Sequence, residues 1–152
     1  AAAELKTLQQ QLNTTRKDQI TGVNGTRTLL HLSERLLAGE LASKRGATGK
    51  AVAAFKEAVG LEDRLHDTEP PDWPLPARHL LGAILLTDNK PAEAETVYQD
   101  DLARHPKNGW ALAGLVASLR AQGKPQAAEE TALAFREAWA RADVVLTESR
   151  IP

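Results

Sequence analysis

The residue types best suited to chemistry are the segment Gly46-Ala47-Thr48-Gly49-Lys50-Ala51 and four histidines, His31, His66, His79 and His105. The segment has the look of a phosphate loop, in which backbone N–H groups between two glycines cradle phosphates and a hydroxyl after the lysine holds magnesium. Its glycines are too close together, and Ala51 carries no hydroxyl. No strand precedes it, so these glycines are expected in an interhelical turn. The histidines lack H-x3-H or H-E-x2-H spacing, and with no cysteine in the chain no thiolate could complete a zinc site. No cofactor and no metal are expected. His31 lies beside an apolar stripe and reads as half-buried surface.

Paired carboxylates are the next candidates. Asp100-Asp101 and Glu129-Glu130 are adjacent on helices, where neighbours diverge around the axis, so they read as solvated faces and not as convergent acid and base. Ser33, Ser43, Ser118 and Ser149 lie outside any G-x-S-x-G elbow. Nothing is a nucleophile by motif, and the chain is expected not to be an enzyme. Asn13-Thr14-Thr15 and Asn24-Gly25-Thr26 fit the glycosylation triplet, a short pattern that recurs by chance. Pro71-x-x-Pro74 has the form of a polyproline ligand but reads better as a stiff spacer, with Trp73 packed back onto a neighbouring helix pair and Arg78 beside it.

Composition narrows the partners. Nineteen basic against 20 acidic residues give a net charge of −1, which supplies no bulk attraction for nucleic acid or an anionic membrane. No apolar run approaches the ~18 to 20 residues of a membrane helix. The absence of cysteine fits cytoplasm and periplasm equally. The opening Ala1-Ala2-Ala3, without methionine, reads as a fragment of a longer protein in preference to an N-terminus left by signal cleavage.

The elements that must position these residues are helices. Alanine is abundant, aromatics are only 4%, and alternating strand-like runs are missing. Leu5, Leu8 and Leu12 predict an N-terminal helix to about residue 20, followed by a turn at Val23-Asn24-Gly25, within a first segment 1–25. Thr26 is a plausible N-cap for a helix to about 45, paired across Gly46–Gly49 with a helix over about 49–66. Four prolines within 70–76 make 67–75 a connector. Helices are then expected over about 76–88, 91–104, 108–121 and 125–147. Pro91 and Pro125 take first-turn positions just after Asn89 and Gly123.

Asn89-Lys90-Pro91-Ala92-Glu93-Ala94 recurs 34 residues later as Gly123-Lys124-Pro125-Gln126-Ala127-Ala128, with Leu81 and Leu85 becoming Leu115 and Leu119. Leu81-Gly82, Leu85, Ala94, Tyr98 and Pro106 resemble the tetratricopeptide (TPR) pattern L-G-x2-Y…A-x3-F…P. Ala38-Gly39, Ala42, Gly46, Ala51, Phe55 and Ala58 match it in an earlier pair. Trp110-x2-Ala113-Gly114-x2-Ala117 looks like the family's opening, although the 34-residue register equates Leu115 with Leu81, and both alignments stay open. Glu69-Pro70-Pro71-x-Trp73, Arg78, Asn108-Gly109-Trp110 and Phe135-x3-Trp139 also resemble the C-terminal part of a bacterial TPR subfamily of unassigned function.

The resemblance implies an all-α fold of antiparallel helix pairs at 26–66, 76–106 and 107–152, stacked as a short right-handed solenoid, the last pair ending in an extended helix. It implies a scaffold that binds a protein or peptide partner in a concave groove. Projected on the helices, Leu36, Lys44, His79, Leu86, Trp110 and Arg120 line that groove, with Trp110 divided between groove and core and Trp139 in the core. Their apolar, aromatic and basic mixture suits an acidic amphipathic helix or extended peptide. Lys and Asn at the family's carboxylate-clamp positions are not met, since Leu36, Glu40, His79 and Ala83 stand there. The alternatives are self-association as a homo-oligomer, intramolecular packing, and a regulatory segment of a larger enzyme.

Overall fold

The computed structural model describes residues 1–66, 68–146 and 148–149. Among these it is mostly helical and divides into two compact units, Ala1–Ala77 and Arg78–Pro152. The first unit holds α1 (Ala2–Thr14), the paired strands β1 (Ile20–Thr21) and β2 (Asn24–Gly25), α2 (Thr26–Lys44) and α3 (Thr48–Glu62). The second holds α4 (Ala77–Thr87, its first residue closing the first unit), α5 (Pro91–Arg104), α6 (Gly109–Ala121) and α7 (Pro125–Ala138). None of these helices is long and apolar enough to cross a membrane.

Three helical hairpins, α2–α3, α4–α5 and α6–α7, are closed by one turn geometry. Gly46, Asn89 and Gly123 take positive φ (71°, 55° and 69°) just past the helix ends. The next residue's N–H reaches back to the third carbonyl from each helix end: Ala47 to Ala42, Lys90 to Leu85, Lys124 to Leu119, at 2.9 to 3.0 Å. A second bond runs from each left-handed residue to Ser43, Leu86 or Arg120. This is the Schellman cap, which satisfies orphan carbonyls and reverses the chain at the cost of one left-handed residue, one that glycine or asparagine tolerates. Pro91 and Pro125 then start α5 and α7 where a missing N–H costs nothing.

Within the first unit the core is built by α2 and α3, with Leu32, Leu36, Ala51, Val52, Phe55, Ala58 and Leu61 buried. Phe55 packs against Gly39, where a Cβ would stand 2.5 Å from the ring Cε1. Helix α1 packs on α2 with Leu5, Leu8 and Leu12 half-buried. Its contact is also polar: Gln9 donates to Glu34, a 2% exposed carboxylate that Arg35 grips with two bonds. Burial opposes the ionised Glu34, but the Arg35 and Gln9 hydrogen bonds and the Arg35 and His31 charges outweigh it and hold its pKa below the usual value.

Several expected boundaries are corrected. Helix α1 stops at Thr14 and not near residue 20. Thr14 and Thr15 bond back to carbonyls of their own helix, and Arg27 Nη1 donates to the carbonyls of Leu12 and Thr15, closing the end. The turn at Val23-Asn24-Gly25 is part of a two-stranded antiparallel ribbon, pairing Ile20 with Gly25 and Thr21 with Asn24, where no strand was expected. Two-residue strands carry no periodicity to detect. Gly25, not Thr26, caps α2. Helix α3 ends at Glu62, and α7 ends at Ala138 and not near 147, so the extended last helix is absent. The buried Asn24 side chain clasps the main chain of His66 through both its N–H and its C=O, and donates to Asp72. Trp73 is half-buried, and its indole closes on the Leu75 carbonyl within the connector.

Candidate recognition site

The second unit is organised around Tyr98. Helix α5 directs this side chain inward, where it is fully buried between two glycines, Gly82 of α4 and Gly114 of α6. A Cβ at either glycine would stand 2.5 Å from Tyr98 Cε1, closer than any real contact. The two glycines therefore admit the ring that joins three helices. Gly109 does the same at the start of α6 for the indole of Trp139, 2.5 Å from its Cζ3.

Beside the ring lies a buried polar cluster. Asp101, one helical step from Tyr98, is 1% exposed. Asn108 donates to its Oδ2 at 2.7 Å, with His79 Nε2 3.5 Å from the same oxygen and His105 Nδ1 3.6 Å from Oδ1. The same Asn108 caps α6 by accepting the Trp110 N–H, and its amide nitrogen lies 2.8 Å from His79 Nε2. Burial works against the Asp101 charge, but the His79 hydrogen bond and charge, the charge of His105 and the Asn108 amide outweigh it and depress the pKa. Asp101 is thus not on a solvated face as expected. It is the acceptor that ties α4, α5 and the start of α6 together, while Asp100 stays exposed.

The chain after α7 returns to this place. Trp139, stacked on Phe135 at 6.1 Å and edge-on to Trp110 at 5.9 Å, donates its indole N–H to the Val144 carbonyl at 2.7 Å. Ser149 is 2% exposed, with its Oγ 2.5 Å from the Tyr98 hydroxyl and 3.2 Å from the His79 carbonyl. A serine has one hydrogen to give, and the carbonyl can only accept. Tyr98 therefore donates to Ser149, and Ser149 donates to His79. Burial pushes the Tyr98 phenol well above its ordinary value, which keeps that donor proton in place. Serine, histidine and aspartate do meet here, yet the serine hydroxyl bonds to the His79 main chain and to a phenol instead of the imidazole.

The six groove residues divide. Leu36 and Lys44 lie in the first unit, the other four in the second. Leu36, at 8% exposure, is core, and His79 is buried against Asp101 and Asn108, so neither is a free recognition side chain. Lys44 and Arg120 are exposed, Leu86 and Trp110 half-buried. Trp110 rests against Trp139, which is itself half-buried and not fully core. Among the described residues, no group of three or more His, Asp and Glu side chains is arranged to hold a metal ion. Residue pattern alone carries little sign of the roles of Asp101, Asn108 and Ser149. Asn108 before Gly109-Trp110 has the form of an N-cap, a signal that sequence reasoning did not use.

Comparison with known proteins returned no match: no family model, no curated protein and no solved structure corresponds to the chain.

Proposed function

We propose that the chain is a non-catalytic interaction module of the TPR kind, whose helix pairs stack as a short array and hold a protein or peptide partner. The observation that carries this reading is the threefold repetition of one helical hairpin, closed each time by the same left-handed turn at Gly46, Asn89 and Gly123. Units of this sort have an apolar face they cannot bury alone, and stacked copies present continuous surfaces suited to partners. The Gly39–Phe55 and Gly82–Tyr98 contacts, each between residues sixteen apart, add to it. So does the use of the buried polar groups: the Asn108 amide lies against both His79 and Asp101 and so ties helices together, an arrangement suited to a rigid scaffold.

The reading is tested by selecting peptides from a displayed random library on the whole chain and measuring affinity by calorimetry. A selected peptide is expected to bind one to one. Arg120→Glu on exposed α6 surface should weaken it by about 1 kcal/mol or more, and Lys50→Ala on α3 should leave it unchanged. Failure to enrich any sequence above a scrambled control would remove the interaction reading.

A further inference from the structure

The last described residue of the chain is among its most buried. Ser149, past the end of α7, is 2% exposed, and its hydroxyl joins the Tyr98 hydroxyl to the His79 carbonyl. Leu146 in the segment leading to it is half-buried, but the two valines before it are not. Val144 and Val145 are 54% and 86% exposed. Two of its anchor points are the Trp139 indole on the Val144 carbonyl and the Ser149 hydroxyl between phenol and carbonyl. One of these engages main chain and the other a single small hydroxyl, a mode of contact open to many extended peptides.

The chemistry of the far point is specific. Tyr98 offers one proton from a fully buried phenol, and His79 offers a carbonyl oxygen beside it. A group that answers both with one atom must accept and donate at once and be small, which among side chains means serine or threonine. The slot is rigid because Gly82 and Gly114 fix the Tyr98 ring from both sides, and because Asp101 and Asn108 fix His79.

We propose that the Tyr98 hydroxyl and the His79 carbonyl form a docking point for an extended, serine- or threonine-bearing segment of a protein partner, and that the chain's own tail occupies it in cis until such a segment displaces it. This rests on the interaction-module reading and adds to it the site, the kind of segment and a means of regulation. The tail competes at the effective concentration of a short tether, on the order of millimolar. If the tail segment's own trans Kd is near 0.1 mM, any partner segment would bind the occupied chain roughly tenfold more weakly than the vacated one.

The test uses the full chain and a fluorescent peptide with the sequence of residues 142–152 as probe, read by anisotropy. Ser149→Lys places a charge where the buried hydroxyl sits and should eject the tail. The probe is expected to bind Ser149→Lys about tenfold more tightly than the parent chain. Its own serine-to-alanine version should bind several-fold more weakly, and Tyr98→Phe introduced into Ser149→Lys should give the same loss while circular dichroism stays native. A bimane label on Val145→Cys reports the tail directly. Trp139 should quench it in the parent background, and Ser149→Lys should relieve that quenching. Equal probe affinity for parent and Ser149→Lys overturns the occupied-site proposal, as does no binding to a folded Ser149→Lys chain. If peptides selected from a library still bind while the tail probe does not, the interaction reading stands and this inference alone fails.

Discussion

Gly82 and Tyr98 form one device: the ring fills the space a side chain on Gly82 would need, and the two residues lock α4 to α5. Glycine inside a helix costs about 0.5 to 1 kcal/mol against alanine, so its presence is compensated by the contact. Gly82→Ala is expected to destabilise the chain by about 1 to 3 kcal/mol through overpacking. Gly60, also helical, has open space around its missing Cβ, and Gly60→Ala should stabilise by about 0.5 to 1 kcal/mol. Urea melts of both variants check this; a shift of the same sign in both would contradict it.

The Schellman turns make a second comparison. Asn89 is the one non-glycine residue at positive φ among the described residues. Asn89→Val should cost about 1 to 2 kcal/mol, since a β-branched residue pays the full left-handed penalty, whereas Asn89→Gly should be neutral or slightly stabilising. Thermal midpoints of the two variants moving together would show the turn is not what sets the cost.

Asp101 predicts an acid dependence. Its folded pKa is depressed, so its contribution is fully present above the unfolded value of about 3.9 and is lost as pH falls through the lower folded value. Asp101→Asn should destabilise by about 1 to 3 kcal/mol at pH 7, and the gap between variant and parent should close as pH falls below about 4. A gap that stays constant down to pH 2 would mean the carboxylate charge contributes nothing.

Arg27 predicts local, not global, loss. Its guanidinium closes the end of α1 on the Leu12 and Thr15 carbonyls, and charged hydrogen bonds of this kind contribute about 1.5 to 3 kcal/mol. Arg27→Ala should speed amide exchange in Ala2–Thr14 while α5 and α6 keep their protection. Uniform acceleration across all helices would instead make α1 part of one cooperative unit with the rest.

What the sequence determined by itself was local. Pro91 and Pro125, with Asn89 and Gly123 before them, placed two helix starts and two turns, because φ restrictions act within a few residues. Gly82 was legible as a packing position because a glycine within an apolar helical stripe needs a steric reason. Tertiary structure decided the rest. Asp100 and Asp101 are chemically identical neighbours, and only the approach of His79 and Asn108 from other helices buries one and leaves the other in water. The Trp139 indole, by taking the Val144 carbonyl, sends the chain back after Ala138 where sequence pattern continued the helix. Ser149 joins residues 51 and 70 positions away, and periodicity, which reports which face of a helix is apolar, holds no information about what comes to cover it.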